Sequence, residues 1–107
     1  MTFSNKIDNI LNRGIDLHDS DIHNWALTKS QLLEILEKFL DAKIAIAGGD
    51  VMNSINGQIG FSGANWYCDK KEDEHYDDFV IRSINETREY ILKYPTSDVD
   101  YFILVPW

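Results

Sequence analysis

The sequence predicts an α+β fold: two N-terminal helices, a β-hairpin or three-stranded antiparallel unit, one long helix and a C-terminal strand that joins the sheet. Three observations predict it. Asn56-Gly57 separates two strand-like runs, and a type I′ hairpin turn needs positive φ at both central positions. Apolar side chains recur with helical period over residues 32–40 and again over 76–94. The run Tyr101-Phe102-Ile103-Leu104-Val105 is unbroken and apolar, as in a central strand buried on both faces. Hydrophobic residues make up 44% of the 107 positions, enough for one packed core, so a single domain over residues 1–107 is expected rather than disorder.

In chain order, Ser4 can cap a first helix whose Ile7, Ile10 and Leu11 share one face. Gly14 is expected to stop it in the left-handed C′ conformation. Ile15 to Trp25 reads as a connector, because its Asp, Ser, His and Asn side chains compete with the backbone for hydrogen bonds. Thr28 and Gln31 form a capping box, with Leu27 and Leu32 as its hydrophobic staple. Leu32, Leu33, Ile35, Leu36, Phe39 and Leu40 then make a wide apolar stripe, and Glu34 to Lys38 is spaced as an outer-face ion pair.

Lys43 to Met52 reads as a strand broken at Gly48-Gly49, where a bulge or a close backbone approach is expected. The following Asp50 would repel phosphate, so the glycines are no phosphate loop. Asp50 is either a bulge residue that satisfies nearby amides or an exposed partner contact. The return strand starts at Gln58. Gly60 and Gly63 predict a kink, or a separate short strand from Ala64 to Asp69. Alternation points Trp66 and Cys68 one way and Tyr67 and Asp69 the other. One aromatic is then buried and the other is free to anchor an interface, unless helices cover both. The acidic part of residues 70–78 suits the positive end of the long helix that follows. Asp78 to Arg82 and Glu89 to Lys93 are spaced as i,i+4 pairs, Pro95 ends the helix, and a Thr-Ser-Asp loop leads to the last strand.

Eighteen Asp and Glu against ten Lys and Arg give a formal net charge of -8. Such a chain is repelled by nucleic acid and by anionic membrane, whereas a basic protein is a plausible partner. The one cysteine, Cys68, permits no internal disulfide and fits a reducing cytoplasm. No apolar leader stands at the N-terminus, and Ile44–Ala47 is too short to span a bilayer. Asp16, Asp19 and Asp21 lie among His18 and His23, but their spacing matches no metal loop, and a solvated loop is the simpler reading. No acid, base and nucleophile converge in any recognisable motif, so neither an enzyme nor a cofactor is expected.

Several segments belong together: Asn24-Trp25-Ala26-Leu27 before a capped helix, Gly48-Gly49-Asp50-Val51, Asn65-Trp66-Tyr67-Cys68-Asp69, Tyr76 with Ser83, Tyr90-Ile91, and Tyr101 to Val105. In these the chain resembles, over nearly its whole length, the immunity protein 40 family of bacterial polymorphic toxin systems. The resemblance implies a non-catalytic cytoplasmic antitoxin that binds a cognate toxin domain and blocks its active site or its productive conformation, in contact-dependent or secreted-toxin competition. It carries over no catalytic residues. An acidic inhibitor suits a basic cleft such as nucleases have. The expected contact residues are Asp50, Trp66, Tyr67 and Asp69, with Asp19 and Asp21 as a second patch. The rival expectation is a small acidic scaffolding module without a toxin partner, homodimeric through an exposed strand edge.

Overall fold

The computed structural model describes residues 3–95 and 100–107. The loop at 96–98 expected ahead of the last strand lies outside them. Helix α1 (Asn5–Leu11) starts where Ser4 Oγ accepts from the Ile7 amide and ends at Asn12. Gly14 does not take the left-handed conformation. It is glycine for a different reason: a Cβ there would lie 2.6 Å from the Ala26 carbonyl oxygen. That contact exists because the connector is more than a loop. Strands β1 (Ile15–Asp16) and β2 (Trp25–Ala26) pair antiparallel, with a 3-10 turn at His18–Ser20 between them.

Helix α2 (Lys29–Asp41) carries the complete capping box. Thr28 Oγ1 accepts from the Gln31 amide and Gln31 Oε1 accepts from the Thr28 amide, satisfying two otherwise orphaned donors. Leu32, Ile35, Leu36 and Phe39 are buried, Leu33 is half-buried and Leu40 is exposed, so the stripe is narrower than expected. Glu34 pairs with Arg13 beside α1 rather than with Lys38.

Strands β3 (Ile46–Ile55) and β4 (Gln58–Tyr67) form the hairpin. Asn56 and Gly57, at φ 54° and 80°, make the two-residue turn. The long helix α3 (Tyr76–Lys93) follows, and Tyr94 turns extended before Pro95. Strand β5 (Asp100–Pro106) then pairs with β3, giving the order β4-β3-β5, all antiparallel. The central strand is therefore β3. The expectation of a central β5 fails because full burial and central pairing are different things. Phe102 and Leu104 enter the main core, while Ile103 enters a second cluster with Leu17, Ala26 and Met52 on the opposite face. Leu27 closes the outer side of β5, exchanging two 2.8 Å backbone bonds with Phe102.

The helices lie over one face of the sheet. Phe39, Phe79, Ile84, Ile91, Val51 and Phe102 are among the side chains filling the space between. Residues 15–22 cross part of the other face through Leu17 and Ile22. The expected break in β3 is a register shift between Ile46 and Gly48 inside a continuous strand. Gly48 sits at φ 150°, and a side chain on Gly49 would run into the Ile103 carbonyl and the Trp66 ring. Strand β4 is likewise one strand with a kink. Val51 alone lies opposite Ser62, Gly63 and Ala64, and Gly63 takes φ 97°.

Gly49→Ala is expected to destabilise the fold by about 1–3 kcal/mol, the usual cost of overpacking. Urea unfolding read by tryptophan fluorescence measures it, and an unchanged midpoint would contradict the close approach at this position.

Candidate partner-binding surface

Alternation along β3 and β4 sets which groups reach solvent. Trp66 lies opposite Gly49 on the helix-covered face, where the missing side chain leaves room for the indole. Its Nε1–H donates to Thr87 Oγ1 at 3.0 Å and its ring stacks on Tyr90 at 4.8 Å. Trp66 is therefore buried as a filler beneath the helices with its N–H paired, which leaves Tyr67 as the exposed aromatic of the pair. Tyr67 turns the other way, opposite Gly48, and is 77% exposed. Asp50 and Asn65 are opposite one another, two residues along from that pair and so on the same face. With Val105 and the Gly48–Gly49 backbone they line an open depression of about 240 Å³. Asp50 does not act as a bulge acceptor, since its carboxylate bonds no other described residue.

Asp69 is exposed just past β4, and its main chain is tied down. Arg82 Nη2 donates to the Asp69 carbonyl at 2.6 Å, while its Nε meets Glu74 at 2.7 Å and its Nη1 meets Glu86 at 3.2 Å. The expected Asp78 partner is displaced by these two glutamates, whereas the expected Glu89–Lys93 pair forms at 2.8 Å. Hydrogen bonds from Arg82 hold the Glu74 carboxyl down at about 2, and Glu74 in turn raises the guanidinium. Cys68 is buried under α3. Burial first, and then Glu86, push its thiol up to about 12.

Asp19 and Asp21 are exposed on and just after the 3-10 turn, with Asp21 left-handed at φ 61°. Leu17 and Ile22 pack that segment on the sheet's outer face, so this patch and the Asp50–Tyr67 patch share one side of the molecule. Nearby, the Asp16 carboxylate accepts from the His18 amide at 2.8 Å and lies 2.6 Å from His18 Nδ1, interactions that lower its pKa. Among the described residues no three His, Cys, Asp or Glu side chains gather where a metal ion could sit, and no helix is long and apolar enough to cross a membrane.

The model of the immunity protein 40 family matches residues 16–106. The chain belongs to that family. No curated protein and no solved structure matches it. Membership points to an immunity protein of a toxin system, with a toxin protein as partner and inhibition rather than catalysis as its work.

Within this immunity protein 40 domain the motif residues divide by role. Asn24 is buried, donating through Nδ2 to the Leu104 carbonyl at 2.9 Å and accepting from the Trp25 amide at 2.8 Å, so Asn24-Trp25-Ala26-Leu27 latches the edge of β5. Gly49 and Trp66 hold the sheet to α3. Tyr67 and Asp69 face solvent, as do Asn65 and Tyr76, and Asp50 is half-buried.

One signal went unread in the sequence. All ten Lys and Arg residues fall in segments 1–13, 29–43 and 70–93, together with eleven carboxylates. The remaining segments hold seven carboxylates and no Lys or Arg. Only the fold gives this meaning: the first set builds the helical layer and its flanking turns, and the second builds the sheet and the cover on its outer face. Counted by segment, the helices and their flanking turns are nearly neutral, and among the described residues the other segments carry six carboxylates, in or beside the two sheets.

Two outcomes are expected. At pH 8, alkylation of native Cys68 by iodoacetamide runs roughly a thousandfold slower than in the urea-unfolded chain, because so little of the thiol is ionised; labelling at the rate of a free thiol would overturn its burial. The Glu74 carboxyl is depressed in the folded state, so its contribution is complete above the ordinary value of 4.5 and is lost as pH falls toward 2. The Tm gap between wild type and Glu74→Gln should therefore close across that window, and a gap independent of pH would sink the assignment.

Proposed function

We propose that this chain is a cytoplasmic antitoxin that binds the toxic domain of a cognate polymorphic toxin and neutralises it in competition between bacteria. The observation that carries the reading, beyond family membership, is the segregation of charge: the sheet side holds carboxylates and no Lys or Arg. A one-signed field steers an oppositely charged partner into encounter and raises association rates well above the unsteered range. Speed matters to an inhibitor that must act before its target does. Nucleases carry basic clefts for their phosphate substrates, so a nuclease domain fits this field best. The contact residues proposed are Asp50, Tyr67 and Asp69, with Asp19 and Asp21 on the same side of the sheet.

A tagged chain used as bait in the source bacterium should recover a larger protein whose variable C-terminal domain is toxic when expressed without this chain. Recovery of the bait alone would count against the antitoxin reading. With the toxin domain in hand, the double substitution Asp50→Lys, Asp69→Lys should slow association about tenfold or more at low salt, with most of the difference disappearing at high salt. Equal rates for the folded variant and the wild type would remove these two residues from the contact. A homodimeric scaffold is the second reading, favoured by the free edge of β4. It requires a mass that rises with concentration.

A further inference from the structure

The sheet has two outer edges, and the protein treats them differently. On β5 the edge is closed by Leu27, and Asn24 takes up the Leu104 carbonyl. On β4, at the other end of the order β4-β3-β5, no described strand is paired. An exposed edge is ordinarily guarded by charge or proline, since its free N–H and C=O groups invite another strand. The ten residues Gln58–Tyr67 include no Lys, Arg, Asp, Glu or Pro.

Backbone alternation shows which groups are on offer. In a two-residue hairpin the flanking pair Ile55 and Gln58 bond each other, so Ile59 and Phe61 turn their amides and carbonyls outward. Beyond the kink, the Cys68 amide donates to the Ala47 carbonyl at 2.8 Å, so Tyr67 and Asn65 turn outward in their turn. Between these two runs the Ala64 amide is taken by Ser62 Oγ at 3.2 Å. Two large side chains stand on the outer face of this strand, Phe61 at 60% and Tyr67 at 77% exposure.

We infer that the free edge of β4 receives an extended, basic segment of the toxin as an added strand, which rests on the antitoxin reading above. Main-chain bonds to Ile59, Phe61, Asn65 and Tyr67 supply the pairing, and Phe61 and Tyr67 supply apolar anchorage. The charge selects the occupant. A Lys or Arg on the added strand points along the same outer face toward Asp50, one strand spacing of about 4.8 Å beyond β4. A second copy of this chain would instead bring one cation-free acidic side against another, and like charges facing each other across an interface oppose pairing.

The test uses the full chain and the toxin domain recovered by the bait experiment. Hydrogen exchange of this protein, free and saturated with that domain, should slow at least tenfold at the amides of Ile59, Phe61, Asn65 and Tyr67. Phe61→Pro deletes one outward N–H and leaves the bonds to β3 in place, as proline is tolerated on an edge. It should weaken binding at least tenfold more than Phe61→Ala does. If Phe61→Pro fails to fold, the exchange map decides alone. Tight binding with protection confined to other segments would overturn the edge and leave the antitoxin reading standing. Absence of binding by the wild-type chain would overturn both. Protection of the same amides by concentration alone, with a doubled mass, would give the edge to a second copy and overturn the basic segment as its occupant.

Discussion

The Trp66 indole occupies the space that a side chain at position 49 would fill. That one contact fixes much of the rest. It requires glycine at the middle of the central strand, between two neighbouring strands, and it sets the Trp66 N–H against Thr87 on α3. With Trp66 committed inward, strand alternation sends Tyr67 out and Cys68 in. Arg82 then reaches back from α3 to the Asp69 carbonyl, so the end of β4, the charged loop and the helix are braced together. The same residues that bury the sheet's inner face determine what its outer face can offer.

Much of this was readable from local pattern. The Asn56-Gly57 turn, the Thr28–Gln31 capping box, the end of α3 before Pro95 and the opposed orientations of Trp66 and Tyr67 are all decided within a few residues, and each is found. What escaped depends on neighbours distant in sequence. The apolar run of β5 looked central because both faces are buried, but its second cover comes from Leu17 and Ala26, not from another strand of the sheet. The connector contains two short strands whose need for each other leaves no periodic trace. Arg82 had several carboxylates within helical reach, and only the folded loop brings Glu74 to it. Asp50, Tyr67 and Asp69 were legible as outward candidates, whereas Trp66 was not legible as buried until α3 was laid over it.

The division of charge links the architecture to its use. Cations are confined to the helices and the turns that flank them, where Arg13, Arg82, Arg88 and Lys93 each pair with a nearby glutamate. Glu74 beside Arg82 is largely covered, whereas the exposed pairs among them add little stability individually. Their larger effect is to neutralise the helical side and leave the sheet side acidic. A basic partner of the kind proposed would be drawn to the side bearing the free edge of β4, the exposed aromatics and Asp50.

The kink in β4 has a consequence for the protein at high concentration. An unbroken ten-residue edge of uncharged residues is the kind of template on which identical chains stack into cross-β fibrils. Here the three residues opposite Val51 bend the strand and divide the edge into two short runs, on either side of Gly63. Each run is shorter than the six or seven residues a steric zipper uses. Under the proposed strand addition, such an edge takes a short visiting segment without offering a template long enough to propagate.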